Sequence, residues 1–313
     1  MNRSPFLTSL LVALVALAPV ARAAEPFFRS GDIVALAGGE EMVAAAEAGE
    51  LELAIATAET DLHLTFRSLA WEGDTVYDQR RDLNYPPLED QLAKMHATTV
   101  LLQFGQMECL GGKGKLPEFI VAYEKLLDRL AGAEGRRLLL ILPHPFTKPE
   151  DPALPDLTPH NADVDAYAKA IRELAQRRSL RTVEWTLSAA SGVTVFTRDG
   201  IHLNAWGEAH RAQSLAEKLC PEAAATIAAK RKAPEAEKLL RLIAQKNRLW
   251  FNYYRPQNWA FLAGDRVNQP SSHDHLDPSK RWFPGEMEQY VPLIEKKDRE
   301  IWDAASALQA KGK

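Results

Sequence analysis

Short runs of branched and apolar residues alternate along this chain with longer amphipathic stretches, and that alternation constrains the fold most. Residues 33–37, 64–69, 98–104, 137–142 and 181–186 are each bounded by polar, Gly or Pro positions, as buried strands are. Between them, residues 116–130 place Phe119, Ile120, Tyr123, Leu126, Leu127 and Leu130 on one stripe, which Gly132 closes. Residues 163–178 repeat the pattern with Val164, Tyr167, Ala168, Ile171 and Leu174, and residues 204–219 read as a further helix. Strands alternating with helices predict a parallel sheet covered on both faces, a three-layer α/β/α sandwich. In such sheets the chemistry sits in loops at the carboxyl ends of the strands.

The chain of 313 residues accommodates one such domain and a substantial extension. Its net charge of −4 provides no general attraction to nucleic acid or to an anionic membrane. Two cysteines, Cys109 and Cys220, exclude a disulfide-rich scaffold and a Cys-based zinc module. Pairing and two free buried thiols both remain open for them. The N-terminus carries the basic Asn2-Arg3, an apolar run from Phe6 to Val20, and the small-x-small triplet Ala21-Arg22-Ala23. This pattern predicts a signal peptide over residues 1–23, cleaved near Ala23, and a protein exported to the periplasm or the exterior. An uncleaved anchor is the alternative, although the run is short for a bilayer span. No later segment reaches transmembrane length.

Charge and aromatic content change near Cys220. Residues 1–220 carry 22 basic and 30 acidic side chains, whereas residues 221–313 carry 16 and 12. The second part opens with an Ala/Lys/Glu-rich helical stretch to about Trp250, continues irregularly over residues 255–284, and ends in an amphipathic helix from about Pro292. Trp250, Trp259, Trp282 and Trp302 fall here. A solvated linker does not concentrate aromatics in this way, so residues 221–313 are expected to pack on the domain formed by residues 24–220.

The strongest local signal for chemistry is Thr197-Arg198-Asp199-Gly200-Ile201-His202-Leu203-Asn204, directly ahead of a helix. An Asp three residues before a His can orient the imidazole, fix its tautomer and stabilise its charged form. A capped helix start with merely solvated side chains is the alternative. Three further segments follow strands: Gly31-Asp32-Ile33-Val34-Ala35-Leu36-Ala37-Gly38-Gly39-Glu40, the turn Gly73-Asp74-Thr75, and Gly105-Gln106-Met107-Glu108. In this order and spacing the chain resembles the SGNH/GDSL hydrolase superfamily over roughly residues 30–220. More loosely, Arg255-Pro256-Gln257-Asn258 and Trp282-Phe283-Pro284 resemble a tail found in a secreted bacterial branch of these proteins.

The resemblance implies an SGNH/flavodoxin-like sandwich, hydrolysis of acyl or acetyl esters on lipids or carbohydrates, and no cofactor. It also implies four working residues: a Ser nucleophile, a Gly and an Asn that donate to the oxyanion, and a His base with its Asp. Here the nucleophile position falls on Glu40, the oxyanion Gly on Gly73, and the oxyanion Asn on Met107, while Asp199 and His202 are retained. Glu40 has no hydroxyl proton for His202 to remove, and no Ser lies between Ser30 and Ser68. Met107 offers no donor, and loss of one oxyanion donor alone costs about 10²–10³ in rate.

Three roles are therefore weighed for the retained dyad: Glu40 as an ion-pair partner of His202, a new acid/base or metal site, or a structural remnant. The leading expectation is a catalytically degenerate exported protein that binds an acyl-ester or acetylated-carbohydrate ligand or serves as an extracellular module, with a protein partner possible. The alternative is an active esterase with a non-standard nucleophile, for which the tail offers Ser271 and Ser272. Weaker signals are the loop Gly111-Gly112-Lys113-Gly114-Lys115, which lacks the spacing of a phosphate-binding loop, and the group His273, His275 and Asp277. Pro143-His144-Pro145 reads as a rigid turn or a further part of the cleft mouth, and no Gly-x-Ser-x-Gly elbow is present.

Overall fold

A computed structural model of the chain describes residues 26–81, 84–133, 135–185 and 195–311. The expected signal peptide lies outside these residues, as does Thr186 at the end of the fifth apolar run. Five strands form one sheet: β1 (Ile33–Gly38), β2 (Thr65–Ser68), β3 (Thr99–Gln103), β4 (Arg137–Ile141) and β5 (Arg181–Val183). They pair in the order β2-β1-β3-β4-β5, every pair parallel. The expected parallel sandwich is observed, and the strand order reverses direction between β1 and β3. A ligand crevice is expected outside the strand ends at that reversal.

Side-chain alternation along the strands assigns the helices to faces. Ala35, Ala37, Val100, Leu102, Leu138 and Leu140 point to one side. There they meet α3 (Leu88–Lys94), α4 (Leu116–Ala131) and α5 (Asn161–Arg177) through residues such as Leu92, Phe119, Tyr123 and Ile171. Val34, Leu36, Leu101, Leu139 and Ile141 point to the other. That side is covered by α1 (Glu40–Ala48), α2 (Glu50–Ala58), α6 (Ala205–Leu219) and α7 (Ala224–Arg231). The strands bury both faces, which is why they read as continuous apolar runs rather than alternating ones. Cys109 and Cys220 are both free and buried, and they belong to the cores on opposite sides of the sheet.

The C-terminal extension is helical: α8 (Pro234–Tyr254), α9 (Trp259–Leu262), α10 (Trp282–Glu288) and α11 (Tyr290–Lys311). The segment expected to be irregular thus holds one short helix and the start of another. Leu239, Ile243, Ile301, Ala305 and Leu308 close a third apolar cluster with Leu53 and Ala56 of α2. The same helices cover the free edge of β2. Trp302 Nε1 donates to the Leu64 carbonyl at 2.8 Å, Lys246 Nζ to Phe66 at 3.0 Å, and Trp250 Nε1 to Ser68 at 2.7 Å. These alternate carbonyls face outward from an edge strand, where they otherwise form a template for pairing with another chain. The extension's aromatics therefore satisfy backbone groups as well as filling space. Among the described residues, no helix is long and apolar enough to cross a membrane.

Candidate functional site

The site lies at the reversal point of the sheet. β1 ends in Gly38 and α1 begins at Glu40, so the chain must turn almost at once. A Cβ on Gly38 would stand 2.5 Å from the Gln103 carbonyl oxygen, and one on Gly39 would stand 2.7 Å from that of Asp74. Only glycine fits between these backbones. The turn sets Glu40 at the first position of α1, where the positive end of the helix dipole favours a carboxylate.

Opposite Glu40 stands the loop ahead of α6. Asn204 caps that helix by accepting from the Gly207 amide at 2.9 Å. Asp199 Oδ1 accepts from the amides of Ile201 and His202 at 3.0 and 2.8 Å, which winds the loop tightly. Its Oδ2 lies 2.5 Å from His202 Nδ1. Burial alone raises the Asp199 pKa, but the hydrogen bonds from the His202 ring and the two amides outweigh it and hold the group below its ordinary value. The loop is fastened to the sheet domain where the Thr147 amide donates to the Gly200 carbonyl at 2.9 Å.

With Nδ1 engaged by Asp199, His202 presents Nε2 to Glu40 Oε1 at 3.3 Å. An imidazole nitrogen and a carboxylate oxygen attract only when a proton lies between them. The ring therefore stands between two carboxylates, one on each nitrogen. The three side chains are partly exposed, at 22% for His202, 29% for Glu40 and 27% for Asp199, so a ligand can reach them. The carboxylates face opposite nitrogens and do not converge on one point. Among the described residues, no group of three or more His, Cys, Asp or Glu side chains is arranged to hold a metal ion.

The other expected site residues are placed as follows. Met107 lines a small cleft with Gly39, Glu40, Asp74 and Gln103, and it is 44% exposed. Gly73 is exposed, in the turn whose neighbouring carbonyls pack on Gly39. Glu108 is buried and accepts from the Gly105 and Val76 amides at 2.7 and 2.9 Å, which ties the turn after β3 to the one after β2. The cleft has room for about 20 Å³, or roughly one water.

The weaker sequence signals do not join this site. Ser272 is buried with its hydroxyl donating to the Arg266 carbonyl, and the Ser271 carbonyl accepts from Trp282 Nε1. His275 is exposed, His273 bridges to Arg281, and Asp277 accepts from Ser279, so that loop is held by its own contacts. Residues 113–115 form a tight turn leading into α4, in which Lys115 pairs with Glu118.

Of the two readings of Pro143-His144-Pro145, a rigid turn or a part of the cleft mouth, the second is not met for His144, which is buried at 2% exposure. Around it lie charged groups that the sequence reading missed. Arg211 Nη1 donates to Glu41 Oε2 at 3.0 Å, Arg211 Nη2 donates to Glu208 Oε2 at 2.6 Å, and all three residues are buried. A signal was available in α6. Glu208 and Arg211 share the stripe of Ala212, Leu215 and Leu219, and charges on an apolar stripe mark a buried polar group.

No protein-family model matches the sequence, and no curated protein matches it. Similar solved structures exist at low identity. A gut microbial diltiazem-metabolizing enzyme superposes with a TM-score of 0.54 at 12% identity, covering 90% of this chain and 95% of that one. An acetyl xylan esterase gives 0.48 at 18%, covering 60% and 99%. A carbohydrate acetylesterase from Sinorhizobium meliloti gives 0.45 at 13%, covering 61% and 99%. The first of these likenesses shows a shared fold over most of the chain, and the fold alone.

Proposed function

We propose that the protein is an exported SGNH-hydrolase-like protein whose ester-cleaving site has become a carboxylate–imidazole binding site for an acyl-ester or acetylated-carbohydrate ligand. One observation carries this reading. Glu40 Oε1 occupies the space 3.3 Å from His202 Nε2, where a serine nucleophile would have to stand. A carboxylate there supplies no proton to a base and occupies the space in front of the imidazole. Met107 on the cleft wall leaves the oxyanion position without a side-chain donor. Gly73, Asp199 and His202 persist as the framework of the older site. Export accords with the N-terminal sequence, and the net charge of −4 gives no general attraction to nucleic acid.

Three experiments test the reading. The mature protein is offered a short-chain aryl acetate and a serine-directed phosphonate probe, beside a His202→Ala variant. No turnover and no labelling are expected, whereas turnover abolished by His202→Ala overturns the reading. Glu40→Ser combined with Met107→Asn is expected to create measurable esterase activity. Glu40→Ser alone should fall short of the pair by about 10²–10³, the usual worth of one oxyanion donor. Calorimetric binding of an acetylated xylo-oligosaccharide, weakened by deacetylation and by Glu40→Ala, gives the positive arm.

A further inference from the structure

Beneath the contact between Glu40 and His202 lies a second carboxylate–imidazole pair, built from neighbouring stretches of chain. Glu41 follows Glu40 on α1, and the 100° turn per residue of a helix directs it inward, to 6% exposure. Its Oε2 stands 3.6 Å from His144 Nδ1. The other ring nitrogen of His144, Nε2, lies 3.4 Å from the carbonyl oxygen of Ile201, the residue before His202. The lower pair therefore joins the backbone beside Glu40 to the backbone beside His202.

Hydrogen-bond chemistry restricts how this pair is protonated. A carbonyl oxygen only accepts, so His144 Nε2 carries the hydrogen. In a neutral ring Nδ1 is then a bare lone pair, and it faces a carboxylate oxygen. The two atoms stand 3.6 Å apart, beyond hydrogen-bond reach, and Oε2 already accepts from Arg211 Nη1 at 3.0 Å. A bare lone pair therefore faces a charged carboxylate in a buried site, a repulsion that protonation of Glu41 relieves. The charge balance leads to the same place by a separate route. One buried guanidinium, Arg211, serves two buried carboxylates, Glu41 and Glu208, which leaves one negative charge without a counter-ion. Among the described residues, Glu41 Oε1, Glu208 Oε1 and His144 Nδ1 have no hydrogen-bond partner. An uncompensated buried carboxylate takes up a proton rather than remain charged.

We propose that Glu41 and His144 form a proton-holding positioning pair, which sets the separation of Glu40 and His202 and loosens when its proton leaves. The proposal rests on Glu40 and His202 being the ligand-facing contact, but its test reads the His202 ring and does not depend on any ligand. The groups facing Glu41 come from three elements: Arg211 and Glu208 on α6, His144 after β4, and Arg198, Asp199 and His202 in the loop before α6. Burial pushes Glu41 up to about 7, although Arg211 and His202 pull it down. Burial, aided by Arg211, pushes His144 down to about 3. The proton therefore resides on Glu41 and departs as the pH rises through neutrality.

The experiment is an NMR titration of the full mature chain from about pH 5 to 9, with histidine rings labelled in ¹⁵N and glutamate carboxyls in ¹³C. His144 should remain the neutral Nε2–H tautomer throughout, and the Glu41 carboxyl should titrate near neutrality. The His202 ring signals should inflect at the Glu41 midpoint. Glu41→Gln keeps an acceptor for Arg211 but cannot ionise, and it should remove that inflection alone. A His202 ring that passes the Glu41 midpoint unchanged overturns the proposal, as does an inflection that survives in Glu41→Gln. If Glu41→Gln does not fold, the wild-type curves decide by themselves. Failure of ligand binding beside an intact inflection overturns only the functional reading.

Discussion

Two buried charged clusters in this molecule differ in one respect, and the difference separates holding the fold together from shaping a site. At the edge of the sheet, Lys246 pairs with Glu52 at 2.7 Å and also donates to the Phe66 carbonyl. Beside it, Arg67 makes a two-pronged contact with Asp298 of α11 and a bond to the same carbonyl. None of these charged side chains has a buried atom left without a partner. Under the cleft, by contrast, Glu41, Glu208, His144, Gln103 and Gln106 each leave at least one buried atom without a partner among the described residues. A fully satisfied network specifies one geometry and resists change. A partly satisfied one lies within reach of protons, water and ligands, and unpaired buried groups of this kind call for a functional explanation.

Breaking the satisfied cluster should have the largest effect. Burial raises Glu52 and lowers Lys246, so each charge tolerates its position only because the other is there. Lys246→Ala leaves a buried carboxylate alone and should cost about 3–5 kcal/mol in urea unfolding. Replacing both partners, as in Lys246→Met with Glu52→Leu, should recover most of that loss, because an apolar pair of similar volume carries no desolvation cost. If Lys246→Ala costs less than about 1 kcal/mol, the edge cluster is not the lock described here, and the contrast with the cleft fails.

The cleft cluster should instead reveal itself through pH. Glu41 has an ordinary value of 4.5 and is raised to about 7 in the folded chain. A raised carboxyl contributes stability that is fully present below the unfolded value and is lost as pH climbs through the folded one. Stability should therefore decline between roughly pH 4.5 and 7, by on the order of 3 kcal/mol from this group. Thermal melts of the wild type and Glu41→Gln across that window check the sign. Glu41→Gln should show a visibly flatter profile, whereas parallel profiles would place Glu41 among ordinary structural carboxylates.

The same contrast explains what could be read from sequence. All five apolar runs became strands; the fourth lost only Leu142, whereas the second and third lost a residue at each end, Leu64 and Leu69, and Thr98 and Phe104. The run from Arg181 stops pairing at Val183, after which Trp185 turns into the core below α6. Asp199 and His202 were legible because their contact spans three residues. The position of Glu40 was legible only through resemblance, since nothing local links it to His202. Contacts such as Arg211 with Glu41 and Lys246 with Glu52 join residues 170 and 194 positions apart. The apolar stripe of α6 marks Arg211 as buried, but nothing local in the sequence names Glu41 as its partner, and only tertiary packing brings such pairs together. The aromatic content of the tail pointed to packing, but not to Trp250 and Trp302 supplying donors to an exposed strand edge.

A third polar contact lies between these extremes and should give the smallest effect. Arg255, just past α8, pairs with Glu72 at 2.9 Å, with side-chain exposures of 18% and 47%, and its guanidinium covers the Trp71 ring at 4.0 Å. Burial, the largest single influence, raises Glu72, but the hydrogen bonds from Arg255 and from the backbone, together with the charges of Arg255 and Arg81, hold the group below its ordinary value. An ion pair this open is screened by salt and solvent, and most of its worth lies in the stacking on Trp71. Arg255→Gln should therefore cost at most about 1 kcal/mol, shrinking little further in high salt. Its partner Glu72 precedes Gly73 in the chain, so the substitution also asks whether the tail steadies the site. Unchanged His202 ring signals in Arg255→Gln would confine the tail's role to the sheet edge. A shift as large as that caused by Glu41→Gln would instead join the two clusters into one mechanical unit.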